Sequence, residues 1–172
     1  MKMDRVLELL ERRRWDKRCR RTNIATPDQI TGTTFKTALL ESNKIRPNEH
    51  ELRDAIQAIA PEWNDYDIVL NRNVTCQRHR DSGNVGRSWM MWLGDFEGGA
   101  LCFEDGHRIT LKEVWHNFDG HQYHWNEPHA GTKYSIILYR PGRESCASQM
   151  AKRRHGLESL RVRDAEGEGD RE

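Results

Sequence analysis

The chain has 172 residues, and 28 Lys+Arg stand against 27 Asp+Glu for a net charge of +1. That length suits one domain with a core of its own and hardly two, and the balanced charge names no partner. No apolar run approaches the roughly 18 residues of a membrane span. The basic N-terminus lacks the uninterrupted apolar stretch and small-residue cleavage site of a signal peptide.

Charge is unevenly spread. Over residues 1–21 nine basic side chains (Lys2, Arg5, Arg12, Arg13, Arg14, Lys17, Arg18, Arg20, Arg21) face four acidic ones, whereas the chain ends in "DAEGEGDRE". In "VLELLERRRW", Val6, Leu9 and Leu10 have helical spacing, which predicts a short amphipathic helix. Two uses compete for it: a solvated surface helix, or a basic arm laid on a nucleic-acid backbone. Residues 22–47 are polar and carry Pro27, Gly32 and Pro47, so they read as loops around a short helix at "TFKTALLES". "PNEHELRDAIQAIAP" predicts a second helix, with Asn48 as N-cap, Glu51 three residues on, and Leu52, Ala55, Ile56 and Ile59 on one face. Pro61 stops it.

After Pro61 the pattern changes. "DYDIVLNRNV", "GRSWMMWLGDF", "GALCFED", "HRITLKEVWHNF" and "KYSIILYR" are short, rich in β-branched and aromatic residues, and separated by Gly, Asn and Asp, as in antiparallel β structure. Trp89, Trp92 and Trp115 read as core aromatics, one of them free to line a pocket. The four cysteines, Cys19, Cys76, Cys102 and Cys146, form no C-x-x-C pair. This points to an intracellular protein in a reducing compartment, with neither a disulfide scaffold nor a structural zinc site. The organisation expected is a basic helix or arm over 1–21, one domain over 22–142 with its β core at about 66–140, and a charged tail over 143–172.

Within the β region, "TCQRHRDSGN" places His79 two residues before Asp81. On extended chain, residues i and i+2 point the same way, so an imidazole and a carboxylate can converge on one ion. Two histidines and one carboxylate are what a non-haem iron site needs, with positions left open for a co-substrate and O₂. A second histidine has to come from afar. His116, His121, His124 and His129 are the candidates, and the turns at "FDG" and "PHAG" around it favour His124. On the strand that follows, Lys133 and Ser135 share a face, an ammonium and a hydroxyl suited to one carboxylate. Asp95, Glu97, Glu104 and Asp105 read as water-facing groups on an acidic hairpin around Gly98 and Gly99 rather than as a second metal site.

These motifs, with HxD, a Gly-Gly strand "LGDFEGGALCFEDG" and then FDG-x3-H-x3-P-x2-G-x-K-Y-S, resemble the Fe(II)/2-oxoglutarate-dependent dioxygenases over residues 67–139. Within that superfamily the chain resembles the TET/JBP group, which oxidises the methyl group of 5-methylcytosine or thymine in DNA. The resemblance implies an α+β fold, a double-stranded β-helix (jelly-roll, cupin-like) core with the N-terminal helices packed on it. It implies Fe(II) on His79, Asp81 and His124, with 2-oxoglutarate and O₂ as co-substrates. Lys133 stands where these enzymes usually have the arginine that anchors 2-oxoglutarate, keeping the charge and losing the bidentate fork. Ser135 matches the serine two residues on, and Arg140 is the alternative anchor. Asn84 occupies the asparagine of H-x-D-x-x-N that contacts the target base, and Tyr139 the tyrosine that stacks on it once it has left the duplex.

The function implied is hydroxylation of the 5-methyl group of a pyrimidine, with DNA as partner. The alternatives are the same chemistry on a protein side chain such as prolyl, on a damaged base or on a small molecule, and a non-catalytic nucleic-acid-binding module.

Overall fold

In a computed structural model of the chain, the structure describes residues 2–15, 22–24, 36–41, 44–63 and 66–142. Met1–Arg140 form one compact unit and Pro141–Glu172 a second. The charged tail expected over 143–172, like Cys19 and Cys146, lies outside the described residues.

Helix α1, Lys2–Arg12, buries Val6 and Leu10, four residues apart on one face. Helix α2, His50–Gln57, buries Leu52 and Ile56 at the same spacing. The two stripes meet in one core with Trp15, Leu40, Tyr66 and the β residues described below. Burying such side chains is worth about 1.5–3 kcal/mol each, and this apolar contact sets where α1 lies. Around it the basic side chains find acids: Arg5 binds Glu8 and Glu51, Arg12 binds Glu8, and Arg13 binds Glu49 while stacking on Trp15.

The start of α2 differs from the reading of the sequence. Asn48 sits inside a 3-10 turn, Pro47–Glu49, and the N-cap is Glu49, whose side chain makes no capping bond. Pro47, with its fixed φ, opens the turn one step earlier than the Asn48 signal implied, and the Glu49 carboxylate is occupied by Arg13 instead. The segment "TFKTALLES" is a second correction. Its described part is strand β1, Lys36–Leu40, paired antiparallel with β2, Asp67–Arg72. Ala and Leu favour helix locally, but the open edge of β2 offers five paired residues and a place for Leu40 in the core.

The remaining strands are β3 (Ser88–Leu93), β4 (Phe96–Gly98), β5 (Leu101–Phe103), β6 (Arg108–Ile109), β7 (His116–Phe118), β8 (His124–Asn126), β9 (His129–Gly131) and β10 (Tyr134–Tyr139). They make a five-stranded sheet in the order β1-β2-β10-β3-β7, a three-stranded sheet β6-β5-β8 and a pair β4-β9. Each pairing is antiparallel. The last strand, β10, lies at the centre of the large sheet, with Ser135 opposite both Asn71 and Trp92.

The large sheet is covered on both faces. Ile68, Leu70, Met91, Leu93, Tyr134, Ile136 and Leu138 point at the helices. Met90, Trp92 and Ile137 point the other way, onto Leu101, Phe103 and Ile109 of the small sheet, with Phe96 and Phe118. Double coverage is why "SWMMWL" reads as an unbroken apolar run instead of alternating. Two antiparallel sheets packed face to face, with helices on the outer face of the larger, constitute the α+β jelly roll expected from the sequence.

Candidate metal centre

Beyond β2 the chain turns at Asn73, which adopts a positive φ of 54°. Its N–H donates to the Lys133 carbonyl, and its side-chain oxygen accepts from the Lys133 N–H, both at 2.8 Å. The next residues run along β8. The Asn126 N–H donates to the Cys76 carbonyl at 3.0 Å, and His79 and His124 exchange both backbone bonds, at 3.0 and 2.9 Å. Residues directly opposite in such an antiparallel bridge project to the same side. The two imidazoles accordingly lie with centroids 4.4 Å apart. The bridge thus selects His124 from the four candidate histidines. It also alters the picture of HxD on a continuous strand, because His79 lies in an isolated bridge and Asp81 beyond it.

Asp81 is brought in by a second tie: its N–H donates to the Gly120 carbonyl at 2.7 Å. A Cβ at position 120 would stand 3.4 Å from both Cβ and Oδ2 of Asp81, an ordinary contact distance, so the approach rests on the backbone bond and not on the glycine. The Asp81 carboxylate then lies 3.7 Å from Nε2 of His79 through one oxygen and 3.7 Å from Nε2 of His124 through the other. One ligand atom from each of the three falls within 4.8 Å of the others. Each Nδ1 faces a backbone carbonyl, Gln77 at 2.7 Å for His79 and Gln122 at 2.8 Å for His124. Protons on both Nδ1 atoms leave both Nε2 lone pairs turned toward Asp81, the arrangement in which imidazoles bind metal. The Asp81 side chain is 36% exposed and that of His124 5%, so the cluster opens on the aspartate side.

A cavity extends from the cluster between the sheets, lined by Asn71, Met90, Trp92, Phe118, Ser135 and Ile137 among others. Ser135 lines this cavity together with His79, Asp81 and His124. Lys133 is on the same side of the chain but set further back and not in the cavity wall. It is 1% exposed, its Nζ donates to the Gly99 carbonyl, and it stands 4.2 Å from the centroid of the Trp92 ring. Burial pulls its pKa down to about 7. No carboxylate among the described residues pairs with it. Gly99 is required here: its φ is +70°, and a Cβ on it would come within 2.7 Å of Nζ.

Arg140 does not reach the cavity. It lies on the opposite face of β10, where it donates to the Tyr66 hydroxyl at 3.2 Å and stacks on that ring, which corrects its reading as an alternative anchor. The backbone at Asn84 and Val85 is tied on one side to Asp81 and on the other to the residue after Tyr139. The Asn84 N–H donates to the Asp81 carbonyl at 3.1 Å, and the Val85 N–H donates to the carbonyl of Arg140, the neighbour of Tyr139, at 2.8 Å.

The other histidines have separate places. His116 Nε2 meets the Leu111 carbonyl at 2.8 Å. His121 lies between the Asp119 carboxylate and the Asn84 carbonyl, each at 2.9 Å, and these acceptors, Asp119 first, raise its pKa. His129 packs beside Lys133, and burial together with that cation lowers its pKa to about 4. Of the three tryptophans, Trp92 is the one in the cavity wall. The part played by Gly99 beside Lys133 had no signal in the sequence, since the two lie 34 positions apart. The acidic hairpin makes no metal group: His79, Asp81 and His124 are the sole such cluster among the described residues. Cys76 and Cys102 are buried and in no disulfide, and no described helix is long and apolar enough to cross a membrane.

No protein-family model matches the chain, and no curated protein matches it in sequence. Solved structures do match in shape. An oxidoreductase of the 2OG-Fe(II) oxygenase family from Burkholderia pseudomallei superposes with a TM-score of 0.52 at 11% identity, over 80% of this chain and 77% of its own. This likeness shows the jelly-roll fold of that oxygenase in the present chain. A Pseudomonas putida prolyl-4-hydroxylase matches with a TM-score of 0.42 and 17% identity over 69% of this chain and 76% of its own. A Trichoplax adhaerens prolyl hydroxylase, in complex with a hypoxia inducible factor oxygen degradation domain peptide fragment, matches with a TM-score of 0.44 and 12% identity over 83% and 77%.

Proposed function

We propose that the chain is a non-haem Fe(II)/2-oxoglutarate-dependent dioxygenase, with His79, Asp81 and His124 as iron ligands. The observation that carries this reading is the three-residue cluster itself, with both Nε2 atoms turned to one carboxylate by Nδ1 bonds to backbone carbonyls. Two imidazoles and one carboxylate on a single face suit Fe(II) and leave its other positions free. A dicarboxylic co-substrate is supported by the charge at Lys133. Lys133 is a buried cation whose acceptors are a carbonyl and aromatic faces, and a dicarboxylic acid would supply the missing anion. Ser135 in the cavity wall adds a hydroxyl.

Bound there, iron with 2-oxoglutarate and O₂ supplies C–H hydroxylation, with succinate and CO₂ as co-products. The chain's own groups hold and orient. The carbonyls of Gln77 and Gln122 fix the imidazole tautomers, the Gly120 carbonyl holds the Asp81 backbone, and the apolar wall of Met90, Phe118 and Ile137 keeps water from the reaction.

The substrate proposed is the 5-methyl group of a pyrimidine in DNA. Its support is the backbone tie that brings the Asn84–Val85 segment to the residue after Tyr139, with an amide suited to reading a base edge and a ring suited to stacking on it. The basic helix lends no support, because Arg5, Arg12 and Arg13 are engaged by acids. The test is nucleoside mass spectrometry after incubation with Fe(II), 2-oxoglutarate and DNA containing thymine and 5-methylcytosine, with His79→Ala as control. Hydroxymethyl nucleosides absent from the control support the whole reading. Succinate without a modified nucleoside keeps the oxygenase, removes DNA as substrate, and makes a prolyl peptide the next one to try. Neither product refutes the enzyme and leaves the binding module.

A further inference from the structure

Two buried side-chain nitrogens near the cavity lack any hydrogen-bond partner: Nε1 of Trp92 and Nε2 of His129. An indole N–H can only donate, and leaving it buried and unpaired costs free energy. Trp92 is 1% exposed, forms part of the cavity wall beside Ser135, its partner across the sheet, and carries the Lys133 ammonium over its ring at 4.2 Å. His129 borders the same niche from the other side of Gly99: a Cβ on Gly99 would stand 2.7 Å from Lys133 Nζ and 3.0 Å from the His129 Cβ. Thr75 Oγ1 lies 3.4 Å from the His129 Nδ1. Around Lys133 thus stand its own ammonium and two side chains, Trp92 and His129, each with an unpaired buried nitrogen, and no acid among the described residues pairs with Lys133.

We propose that the Trp92 indole N–H is a binding residue for the co-substrate, donating to the same remote carboxylate that Lys133 neutralises. The inference rests on the dioxygenase reading and adds to it a second donor and a basis for chain-end selectivity. A carboxylate has two oxygens and takes separate donors on each. One meets Nζ and the other the indole edge, so a 2-oxo acid that ends in a methyl group leaves both donors buried and unpaired. Burial holds the His129 pKa at about 4, so near neutral pH His129 is uncharged and Lys133, itself lowered to about 7, is the one group there that carries positive charge, which a bound carboxylate would favour. Trp92 then adds directional selection to a point charge that lacks the arginine fork.

The experiment is calorimetric titration of the oxygen-free, Zn(II)-loaded full chain with 2-oxoglutarate and with 2-oxopentanoate, which has the same length and no remote carboxylate. Trp92→Phe keeps a ring under Lys133 and removes the donor. Losing a hydrogen bond to a charged group is expected to weaken 2-oxoglutarate binding about 10- to 100-fold, with 2-oxopentanoate and Zn(II) affinity unchanged within about twofold. A second measurement needs no substitution. In ¹⁵N-labelled protein, the Trp92 Nε1–H resonance should move and become protected from exchange with 2-oxoglutarate and not with 2-oxopentanoate. An unchanged preference between the two acids in Trp92→Phe, equal loss of both, or an indole resonance blind to 2-oxoglutarate overturns the assignment while the oxygenase stands. A wild-type chain that binds Zn(II) but neither acid overturns the dioxygenase reading itself.

Discussion

Strand β10 has one backbone and two opposite chemistries. On its helix side Tyr134, Ile136 and Leu138 are at most 3% exposed and lie among apolar neighbours from both helices and three other strands. On its cavity side Ser135, Ile137 and Tyr139 continue the row begun by Lys133, and the groups buried there are polar. The first face gains stability from every side chain it buries. The second buries an ammonium and an indole N–H whose partners the chain does not provide, which lowers stability and creates a demand for an anion. One face holds the fold, and the other carries the polar groups of the proposed site.

Substitutions should separate the two. The largest effect is expected at the metal cluster. His79→Ala or Asp81→Ala should lower metal affinity and turnover by more than the roughly 10–100-fold that loss of an outer partner costs, with no fall in the melting temperature of the metal-free protein. A metal titration beside a melting curve checks both, and a large loss of stability would make these residues part of the scaffold. Ile136→Ala should do the reverse, costing about 2–5 kcal/mol in urea unfolding while the folded fraction binds metal normally.

Lys133 sharpens the comparison through pH. Its folded pKa of about 7 lies below the ordinary 10.5. The unfolded chain therefore binds the extra proton between these values, and the stability of the metal-free protein should rise as pH increases from about 7 to 10.5. Below about 7 the penalty is fully present. Lys133→Met should remove the rise and stabilise the protein at neutral pH, with the requirement for 2-oxoglutarate raised before iron binding is lost. Melting temperatures across that range decide it, and a slope that survives the substitution would assign the effect elsewhere. The smallest effect is beside Asn84. His121, raised above 6.5 by Asp119 and the Asn84 carbonyl, adds stability that is present below 6.5 and lost as pH rises through its folded value. Asp119→Asn should bring the His121 pKa down toward 6.5 in an NMR titration.

Much of this was legible in the chain. His79 and Asp81 stand two apart, the β segments are set off by Gly, Asn and Asp, and the stripes of α1 and α2 are visible in Val6/Leu10 and Leu52/Ile56, because these signals depend on spacing between near neighbours. Lys133 was legible as a cation sharing a strand face with Ser135. Its place behind Trp92 and against Gly99 was not, since Gly99 lies 34 positions away and meets it through the β4–β9 side of the fold.

The sequence by itself determined the set of chemical groups and the period of each element. The tertiary structure decided which members of that set meet. It took His124 and passed over His116, His121 and His129 because only His124 bridges His79 across the small sheet. It made "KTALL" a strand because β2 had an open edge to pair, and it turned Arg140 to Tyr66 because an odd number of residues separates it from Lys133 on an alternating strand. Local spacing is written in the chain, whereas register between distant strands is fixed only when both faces of the sheet are packed.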